Sequence, residues 1–199
     1  ERVATEMDRF LTWFESAPNT DPILKAAIAH LWFLAIHPFD DGNGRIGRAI
    51  CDLALTRADG APLRTYSLSA QFEAERTQYY LELEAAQRGG LDITEWILWF
   101  LGCLDRAVDR GAQTLQTVMA KSRLWQHINT HSIQERQRLV LTRFLGDFQG
   151  PLTTAKYAKL AKCSHDTALR DIKQLLEWGI LVANEAGGRS TSYRAAEPA

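Results

Sequence analysis

Residues 37–48 read His-Pro-Phe-Asp-Asp-Gly-Asn-Gly-Arg-Ile-Gly-Arg, and this stretch decides how the first half of the chain folds. Residues 23–36 precede it with an almost continuous apolar pattern, which predicts a buried helix. Pro38 disfavours a helical conformation at the residue before it. A second helix is predicted over residues 45–58, closed by the turn signal Asp-Gly-Ala-Pro at 59–62. The pattern therefore indicates a helix, a tight loop and a second helix.

The stretch carries side chains that are suited to phosphate chemistry. His37 can accept a proton from a hydroxyl group near neutral pH. Asp41 offers a hard oxygen ligand for magnesium, which usually takes one or two carboxylates together with substrate phosphates. Arg45 and Arg48 are three residues apart on the second helix, so both guanidinium groups can face the same ligand. These residue types in this spacing predict a site for a phosphate-bearing ligand.

Two glycines, Gly42 and Gly44, place a flexible turn at the N-terminus of the second helix. They let backbone N–H groups point at an anion, where the positive end of the helix dipole favours negative charge. Phe39 is expected to anchor the loop in the core. Each feature alone has an ordinary structural explanation, namely a capped histidine, a common turn and a solvated arginine face. Their joint occurrence favours a functional site.

The stretch resembles the signature of the Fic family, His-x-Phe-x-(Asp/Glu)-Gly-Asn-Gly-Arg-x-x-Arg, and it matches every specified position. The resemblance extends to the helical patterns around the motif. It implies a mainly α fold, in which a Fic-type helical core is followed here by a small winged helix-turn-helix domain. Proteins of this family mostly transfer AMP from ATP to a hydroxyl side chain of a target protein. The resemblance thus implies a protein adenylyltransferase with ATP as substrate, Mg²⁺ as cofactor and a Ser, Thr or Tyr acceptor.

The resemblance also implies a role for each residue of the motif. His37 is the general base that deprotonates the target hydroxyl, and Asp41 holds the magnesium that bridges the α- and β-phosphates. The anion-binding nest and the grip on the β- and γ-phosphates are assigned to Gly42, Asn43, Gly44, Arg45 and Arg48. The implied mechanism is in-line attack on the α-phosphorus with departure of pyrophosphate.

Comparison within the family bears on activity and regulation. The Doc-like branch, which phosphorylates its target, carries Ala and Lys in place of Gly42 and Gly44, so this chain favours nucleotide transfer. No β-hairpin flap is indicated before Asn19, and residues 69–74 match the inhibitory Ser/Thr-x-x-x-Glu-(Gly/Asn) pattern only in part, with Ser69 expected as a helix cap. We therefore expect a fragment whose inhibitory helix lies upstream, which leaves its arginine partner free and the activity constitutive.

Composition narrows the class of protein. With 199 residues, of which 46% are hydrophobic, the chain can bury a sizeable core. The three cysteines, Cys51, Cys103 and Cys163, lack metal or disulfide spacing, so buried thiols in the cytoplasm are expected. The longest apolar stretches, 26–36 and 96–104, are too short to span a bilayer. No membrane partner is therefore expected.

Charge divides the chain unevenly. Residues 1–121 carry a net charge of −5, whereas residues 122–199 carry +4. We expect a catalytic domain over 1–121 and a second domain over 122–199. Helical patterns over 92–116 and 115–129 are expected to form a long helix and a further helical stretch that joins the two domains.

The second domain is predicted to contain three helices followed by a small hairpin. Helices are expected over 133–148, 154–162 and 167–178, and strands over 180–182 and 190–194. This order resembles a winged helix-turn-helix domain.

DNA is one candidate partner of that domain. The helix that begins at residue 164 would enter the major groove. The candidate DNA-contacting residues are Ser164, His165, Thr167, Arg170, Lys173, Arg189 and Arg194. Winged helices also serve as dimerisation or protein-docking modules, and a charge of +4 is modest for a DNA-binding domain. A second copy of the chain and another protein therefore remain alternatives.

Two functions compete at this point. One is a Mg-ATP-dependent transferase that modifies a protein hydroxyl group. The other is a DNA-binding transcriptional regulator in which the Fic-like core senses a nucleotide. The presence of His37 favours the transferase, because a sensor needs the anion nest but no base. The identity of the target protein stays open, and so does a different nucleotide or phosphocholine donor.

Overall fold

The computed structural model describes residues 2–16, 19–60, 64–146, 148–184 and 191–196. The chain divides into two compact units, Glu1–Thr114 and Leu115–Ala199. Each unit has its own hydrophobic core. The domain boundary expected between residues 121 and 122 stays a prediction.

All regular secondary structure among the described residues of the first unit is helical. Its helices are α1 (Arg2–Ser16), α2 (Pro22–Ile36), α3 (Asn43–Asp59), α4 (Leu68–Ala74), α5 (Arg76–Arg88) and the beginning of α6 (Thr94–Asn129). Helix α2 starts where the Asp21 carboxylate accepts hydrogen bonds from the N–H groups of Ile23 and Leu24, at 2.9 and 3.1 Å. Helix α3 ends at Gly60, which adopts the left-handed conformation with φ of 61°. The predicted helix–loop–helix is confirmed.

Aromatic residues dominate the core of the first unit. Trp96 of α6 is buried, and its indole N–H donates a 3.0 Å hydrogen bond to the carbonyl of Ala27 in α2. Phe10 of α1 stacks on Phe14 with ring centroids 5.8 Å apart. The remaining large side chains of this core come from α2 to α6 and include Phe33, Leu55, Leu68, Phe72, Tyr79 and Phe100. This packing fixes α2 and α3 at the centre of the unit.

The buried face of α3 differs from the one that its apolar pattern suggests. Of the apolar residues that the sequence pattern places on one side of this helix, Ile46 and Leu53 are 36% and 45% exposed. The core side instead carries Gly47, Cys51, Ala54 and Leu55. The reason is close packing at Gly47, since a Cβ atom there would lie only 3.1 Å from the Leu34 side chain of α2. The close contact at Gly47 therefore identifies the buried face of α3, whereas the positions of the larger apolar residues do not.

Two further expectations for the first unit need correction. Helix α6 runs without interruption over 36 residues, whereas two helical stretches were expected. Ser67 caps α4, because its hydroxyl oxygen accepts a 3.2 Å hydrogen bond from the N–H of Ala70. Ser69 lies inside α4 and contacts Asp52 instead. Within the described ranges, no helix combines the length and the apolarity that crossing a membrane requires.

The second unit combines helices with a small antiparallel sheet. Its elements, after the end of α6, are α7 (Glu135–Leu145), β1 (Leu152–Thr153), α8 (Thr154–Ala161), α9 (His165–Glu177), β2 (Leu181–Ala183) and β3 (Ser192–Ala195). The strand order is β1-β3-β2, and Leu152 and Val182 lie opposite Tyr193 and Arg194 respectively. Strand β1 was not predicted, because two residues are too short to show an alternating pattern.

Caps and one buried ion pair define the helices of this unit. Thr153 and Ser164 cap α8 and α9 through their side-chain oxygens. Asp171 of α9 is 3% exposed and accepts two hydrogen bonds from Arg136 of α7, at 2.7 and 2.9 Å, and a third from the hydroxyl of Tyr157 in α8 at 3.1 Å. Three helices therefore meet at one carboxylate.

Candidate active site

His37 stands where α2 ends. Its backbone is left-handed, with φ of 50°, and its N–H donates a 3.1 Å hydrogen bond to the carbonyl of Phe33. Pro38 follows directly and cannot continue the helix. The imidazole is exposed. Local backbone chemistry thus ends α2 at the residue that was predicted to act as a base.

Asn43 holds the loop between α2 and α3. Its side chain is 3% exposed, its Oδ1 accepts a 3.0 Å hydrogen bond from the N–H of Phe39, and its Nδ2 donates to the carbonyl of Phe39. The prediction that Phe39 anchors the loop in the core is wrong, because that side chain is 48% exposed. Asn43 satisfies two backbone groups that a phenylalanine cannot bond. The anchor is therefore polar.

The backbone at the start of α3 presents free donors. Gly42 has φ of 87°, its carbonyl accepts from the N–H groups of Arg45 and Ile46 at 3.0 Å, and its own N–H bonds to Asp41 at 2.7 Å. Across the described part of the chain, the N–H groups of Asn43 and Gly44 have no acceptor. Two unpaired donors at the positive end of a 17-residue helix are suited to an anion.

Asp41 and Arg45 form an exposed ion pair. Arg45 Nη2 lies 3.1 Å from Asp41 Oδ2, and the two side chains are 73% and 93% exposed respectively. An exposed pair of this kind stabilises the fold by only about 0–1 kcal/mol. A more highly charged cation at Asp41 and a more highly charged anion at Arg45 can therefore replace it. The carboxylate that is predicted to bind the metal therefore lies beside a guanidinium that is predicted to bind phosphate. Only this weak contact connects the two groups.

Arg48 lies one turn further along α3. It is half-buried, and among the residues that the structure describes no acceptor lies within hydrogen-bonding or ion-pairing distance of its guanidinium. A Cβ atom added at Gly44 would approach its Nη1 to 3.8 Å, so the glycine keeps the space beside this cation open. The free N–H of Gly44 and a free guanidinium thus lie on adjacent turns.

The donor set fits magnesium in one specific way. The described residues contain no group of three or more His, Cys, Asp or Glu side chains that could hold a metal ion by themselves. Magnesium, however, commonly takes one or two carboxylates and completes its shell with water and substrate phosphates. The accessible carboxylate of Asp41 beside an anion-binding turn meets that requirement only when a nucleotide is bound.

One buried residue next to the site is absent from the sequence-based prediction. His30 of α2 is fully buried and bonds to the backbone of α3 at Gly47, the residue before Arg48. A histidine in an otherwise apolar helix, seven residues before His37, is the only local signal for it. Its partners lie 17 and 49 residues away in sequence, and no short motif contains them.

The predicted DNA-contacting residues lie on and beside α9. Ser164 caps the helix, with its side-chain oxygen 3.2 Å from the N–H of Thr167. His165, Arg170 and Lys173 are exposed, as is Arg194 on β3. Arg189 lies outside the described residues. A shallow groove of about 540 Å³ is lined by Thr167, Arg170 and Lys173 together with Gln134, Arg136, Asp171, Gln174 and Glu177.

Comparison with known proteins gives a consistent result for the first unit. Residues 1–55 match the Fic/DOC family. A stretch of 109 residues is 33% identical to proteins named Protein adenylyltransferase Fic from Drosophila grimshawi and Drosophila mojavensis. The match covers 54% of this chain but only 21% and 20% of those relatives, so the chain spans about a fifth of their length.

A solved structure shares the fold. The crystal structure of a Fic family protein from Desulfovibrio desulfuricans G20 aligns with a TM-score of 0.53 at 24% identity, over 100% of this chain and 56% of that one. Fold and site define the first unit, over its described residues, as a helical domain in which a turn with two unpaired N–H groups follows a histidine. The turn lies inside residues 1–55, the stretch that matches the Fic/DOC family.

Proposed function

We propose that the chain is a protein adenylyltransferase, which moves AMP from ATP to a Ser, Thr or Tyr hydroxyl of a target protein. The observation that carries the proposal is the geometry of the turn. Two unpaired N–H groups, those of Asn43 and Gly44, lie at a helix N-terminus beside Arg45 and Arg48, at the far end of the loop that starts at the exposed His37. The names of the relatives that match over 109 residues support the same activity.

In this reaction, different residues bind the phosphates and accept the proton. The N–H groups of Asn43 and Gly44 hold phosphate oxygens, and Arg45 and Arg48 neutralise the β- and γ-phosphates. His37 takes the proton of the acceptor hydroxyl while the oxygen of that hydroxyl bonds to the α-phosphorus. The bond between the α-phosphorus and the bridging oxygen breaks, and pyrophosphate leaves with the electron pair. The arginines lower the barrier, because negative charge grows on the oxygens that they contact.

Magnesium fits beside Asp41. Asp41 would hold the ion in place of its weak contact with Arg45, which would leave the arginine able to contact phosphate. When bound, the ion neutralises charge on the phosphate oxygens. The protein itself contributes one carboxylate, held by a hydrogen bond from the N–H of Gly42.

Labelled ATP distinguishes adenylyl transfer from phosphoryl transfer. The chain is incubated with magnesium and ATP that carries the label on the α- or on the γ-phosphate, with the chain itself and a heat-inactivated total protein lysate as acceptors. We expect protein-bound label from α-labelled ATP only. Protein-bound label from γ-labelled ATP would identify a kinase-type reaction, and absence of label in both arms would contradict the proposal.

The control variants follow from the conformation of the loop. His37→Asn removes the base but suits the left-handed backbone, in which asparagine is enriched. Arg48→Ala removes one phosphate contact. Arg88→Ala is its matched control, because Arg88 is 80% exposed and its one ion pair among the described residues is with Glu84 on its own helix. We expect label to disappear in the first variant, to decrease in the second and to stay unchanged in the third.

We also propose that the second unit is a winged helix-turn-helix that binds DNA. The order α7-β1-α8-α9-β2-β3, with α9 capped at Ser164 and a three-stranded antiparallel sheet, supports the fold assignment. Thr167, Arg170 and Lys173 recur every three residues along one side of α9, beside the groove that Arg136 also lines. An exposed helix side with two cations is suited to the major groove.

A salt-dependent gel shift with random duplex tests this second proposal. Lys173→Ala and Arg170→Ala are each expected to lower the slope of log affinity against log salt by about one, because each removes one phosphate contact. Lys25→Ala in the first unit is the matched control, with an unchanged slope. Absence of a shift at low salt would favour a protein partner instead.

The alternative function is a nucleotide-sensing regulator. It predicts that the chain binds ATP without transferring any group, and that the His37→Asn variant binds ATP as the wild type does.

A further inference from the structure

His30 connects three helices of the first unit through one buried ring. Its Nδ1 lies 2.9 Å from the carbonyl oxygen of Gly47 in α3, and its Nε2 lies 2.9 Å from the hydroxyl oxygen of Tyr79 in α5. The side chain is 0% exposed, and the ring stacks on Trp96 at 6.0 Å with an angle of 10° between planes. Both ring nitrogens are therefore occupied, and no water reaches them.

The partners determine which nitrogen carries the proton. A carbonyl oxygen only accepts, so Nδ1 must be the donor to Gly47. In the neutral ring Nε2 then has a lone pair, and the hydroxyl of Tyr79 donates to it. Burial lowers the pKa of His30 to about 4 and raises the pKa of Tyr79 above its usual value. The ring therefore stays neutral, and the tyrosine keeps its proton, across the physiological range.

The bond to Gly47 acts on the backbone that carries Arg48. The carbonyl of Gly47 belongs to the peptide unit whose N–H is that of Arg48, so the ring holds this peptide from α2. His37 directly follows the last residue of the helix that carries His30, so the position of α2 also sets the position of His37. A Cβ atom at Gly47 would lie 3.1 Å from Leu34, so α2 and α3 approach closely at this point.

We infer that His30 is a positioning residue, which sets the place of the first turns of α3, and with them Arg48, relative to His37. The inference rests on the proposed function. Displacing a phosphate ligand by about 1 Å costs on the order of 10²-fold in rate, because the transition state is sensitive to geometry. Loss of the contact to Gly47 is therefore expected to lower the rate constant at saturating ATP more than it changes the ATP concentration that gives half the maximal rate.

Two substitutions separate the two hydrogen bonds. His30→Asn places an amide N–H near the position of Nδ1 and keeps the bond to Gly47, whereas His30→Gln reaches the position of Nε2 and keeps only the bond to Tyr79. We expect self-modification by the Asn variant within about threefold of the wild-type rate, and by the Gln variant about 10- to 100-fold below it. Rates are expressed per folded molecule, with the folded fraction taken from urea unfolding curves.

A second variant acts from the opposite side of the contact. Gly47→Ala leaves His30 intact but forces a Cβ atom against Leu34, and we expect the same loss of rate at saturating ATP. Gly102→Ala in α6 is the matched control, because its added Cβ meets Nη1 of the Arg106 side chain at 3.2 Å and no atom of α2 or α3 within 4 Å. If the His30→Gln variant does not fold, the rate of the Gly47→Ala variant tests the inference in its place.

The outcomes distinguish the inference from the proposed function. If the wild-type chain does not transfer the adenylyl group at all, the proposed function is wrong. If the wild-type chain transfers it and the Gln and Gly47→Ala variants match the wild-type rate per folded molecule, His30 supports only the fold and the inference is overturned. Slower transfer by these variants, with wild-type rates for the Asn and Gly102→Ala variants, supports it.

Discussion

The candidate site consists of two groups of residues that differ in exposure. His37, Asp41 and Arg45 are exposed and make at most weak contacts to the rest of the protein. Asn43 and His30 are buried, and each satisfies two hydrogen-bonding groups on other segments. In the proposed function the first group supplies the side chains that contact the substrates, and we infer that the second group determines where they lie. Substitutions in the two groups should therefore affect different quantities.

This difference makes the comparison testable. Changes in the exposed group should alter transfer and leave the free energy of unfolding almost unchanged, since surface substitutions usually stay within about 0.5 kcal/mol. Changes in the buried group that remove a hydrogen bond to the loop or to α3 should alter both quantities, because they leave buried polar groups without partners. A variant that reverses either pattern would break the comparison.

The largest effect is expected for His37→Asn. Removal of a general base lowers the transfer rate by about 10²- to 10⁴-fold, while the free energy of unfolding changes by less than about 0.5 kcal/mol. Rates of self-modification and urea unfolding curves measure the two quantities on the same preparation. Equal transfer by the variant would show that the imidazole is not the base.

The next effect concerns pH and sharpens the assignment of His30 to the buried group. Its pKa of about 4 in the folded state lies below the unfolded value of 6.5, so the unfolded chain binds more protons between these pH values. The free energy of unfolding should therefore fall by about 3 kcal/mol from this residue as the pH decreases from 6.5 to 4, since one pKa unit corresponds to about 1.4 kcal/mol.

Urea unfolding at several pH values measures this dependence. Four of the six tryptophans lie in the first unit, so tryptophan fluorescence reports mainly on it. The His30→Asn variant has no titrating ring and is the control, with a smaller decrease over the same interval. Parallel curves for the two proteins would contradict the buried, neutral state of the ring.

A smaller loss is expected for Asn43→Ala. The substitution leaves the N–H and the carbonyl of Phe39 without partners, which costs about 1–3 kcal/mol of the free energy of unfolding. Transfer should also decrease, because the loop loses its anchor. Asn129→Ala is the control, since its side chain is exposed and its hydrogen bonds are to Arg138 on the surface. If both substitutions lower the free energy of unfolding by the same amount, Asn43 does not anchor the loop.

The smallest change in stability is expected for Asp41→Asn. Loss of the exposed pair with Arg45 should change the free energy of unfolding by less than about 0.5 kcal/mol. The magnesium concentration that gives half the maximal transfer rate should nevertheless increase, because the metal loses its protein carboxylate. A magnesium dependence equal to that of the wild type would show that Asp41 is not the ligand.

Local patterns predict the parts of this molecule that depend on neighbouring residues. Pro38 and the glycines of the turn indicated where α2 ends and α3 begins, and capping residues such as Thr153 marked a helix start in the second unit. The anchor of the loop was assigned to Phe39 and is Asn43 instead, because hydrophobicity patterns do not show that an amide satisfies two backbone groups. His30 was missed because its partners are distant in sequence.

The central claim is that the turn at the start of α3 binds a nucleotide from which AMP, and no other group, passes to a hydroxyl with His37 as the base. Intact-mass spectrometry of the wild-type chain and the His37→Asn variant, after incubation with ATP and magnesium, tests it most directly. We predict a gain of one adenylyl group in the wild-type chain and no adduct in the variant. A phosphoryl adduct, no adduct in the wild type, or an equal adenylyl adduct in both proteins would contradict the claim.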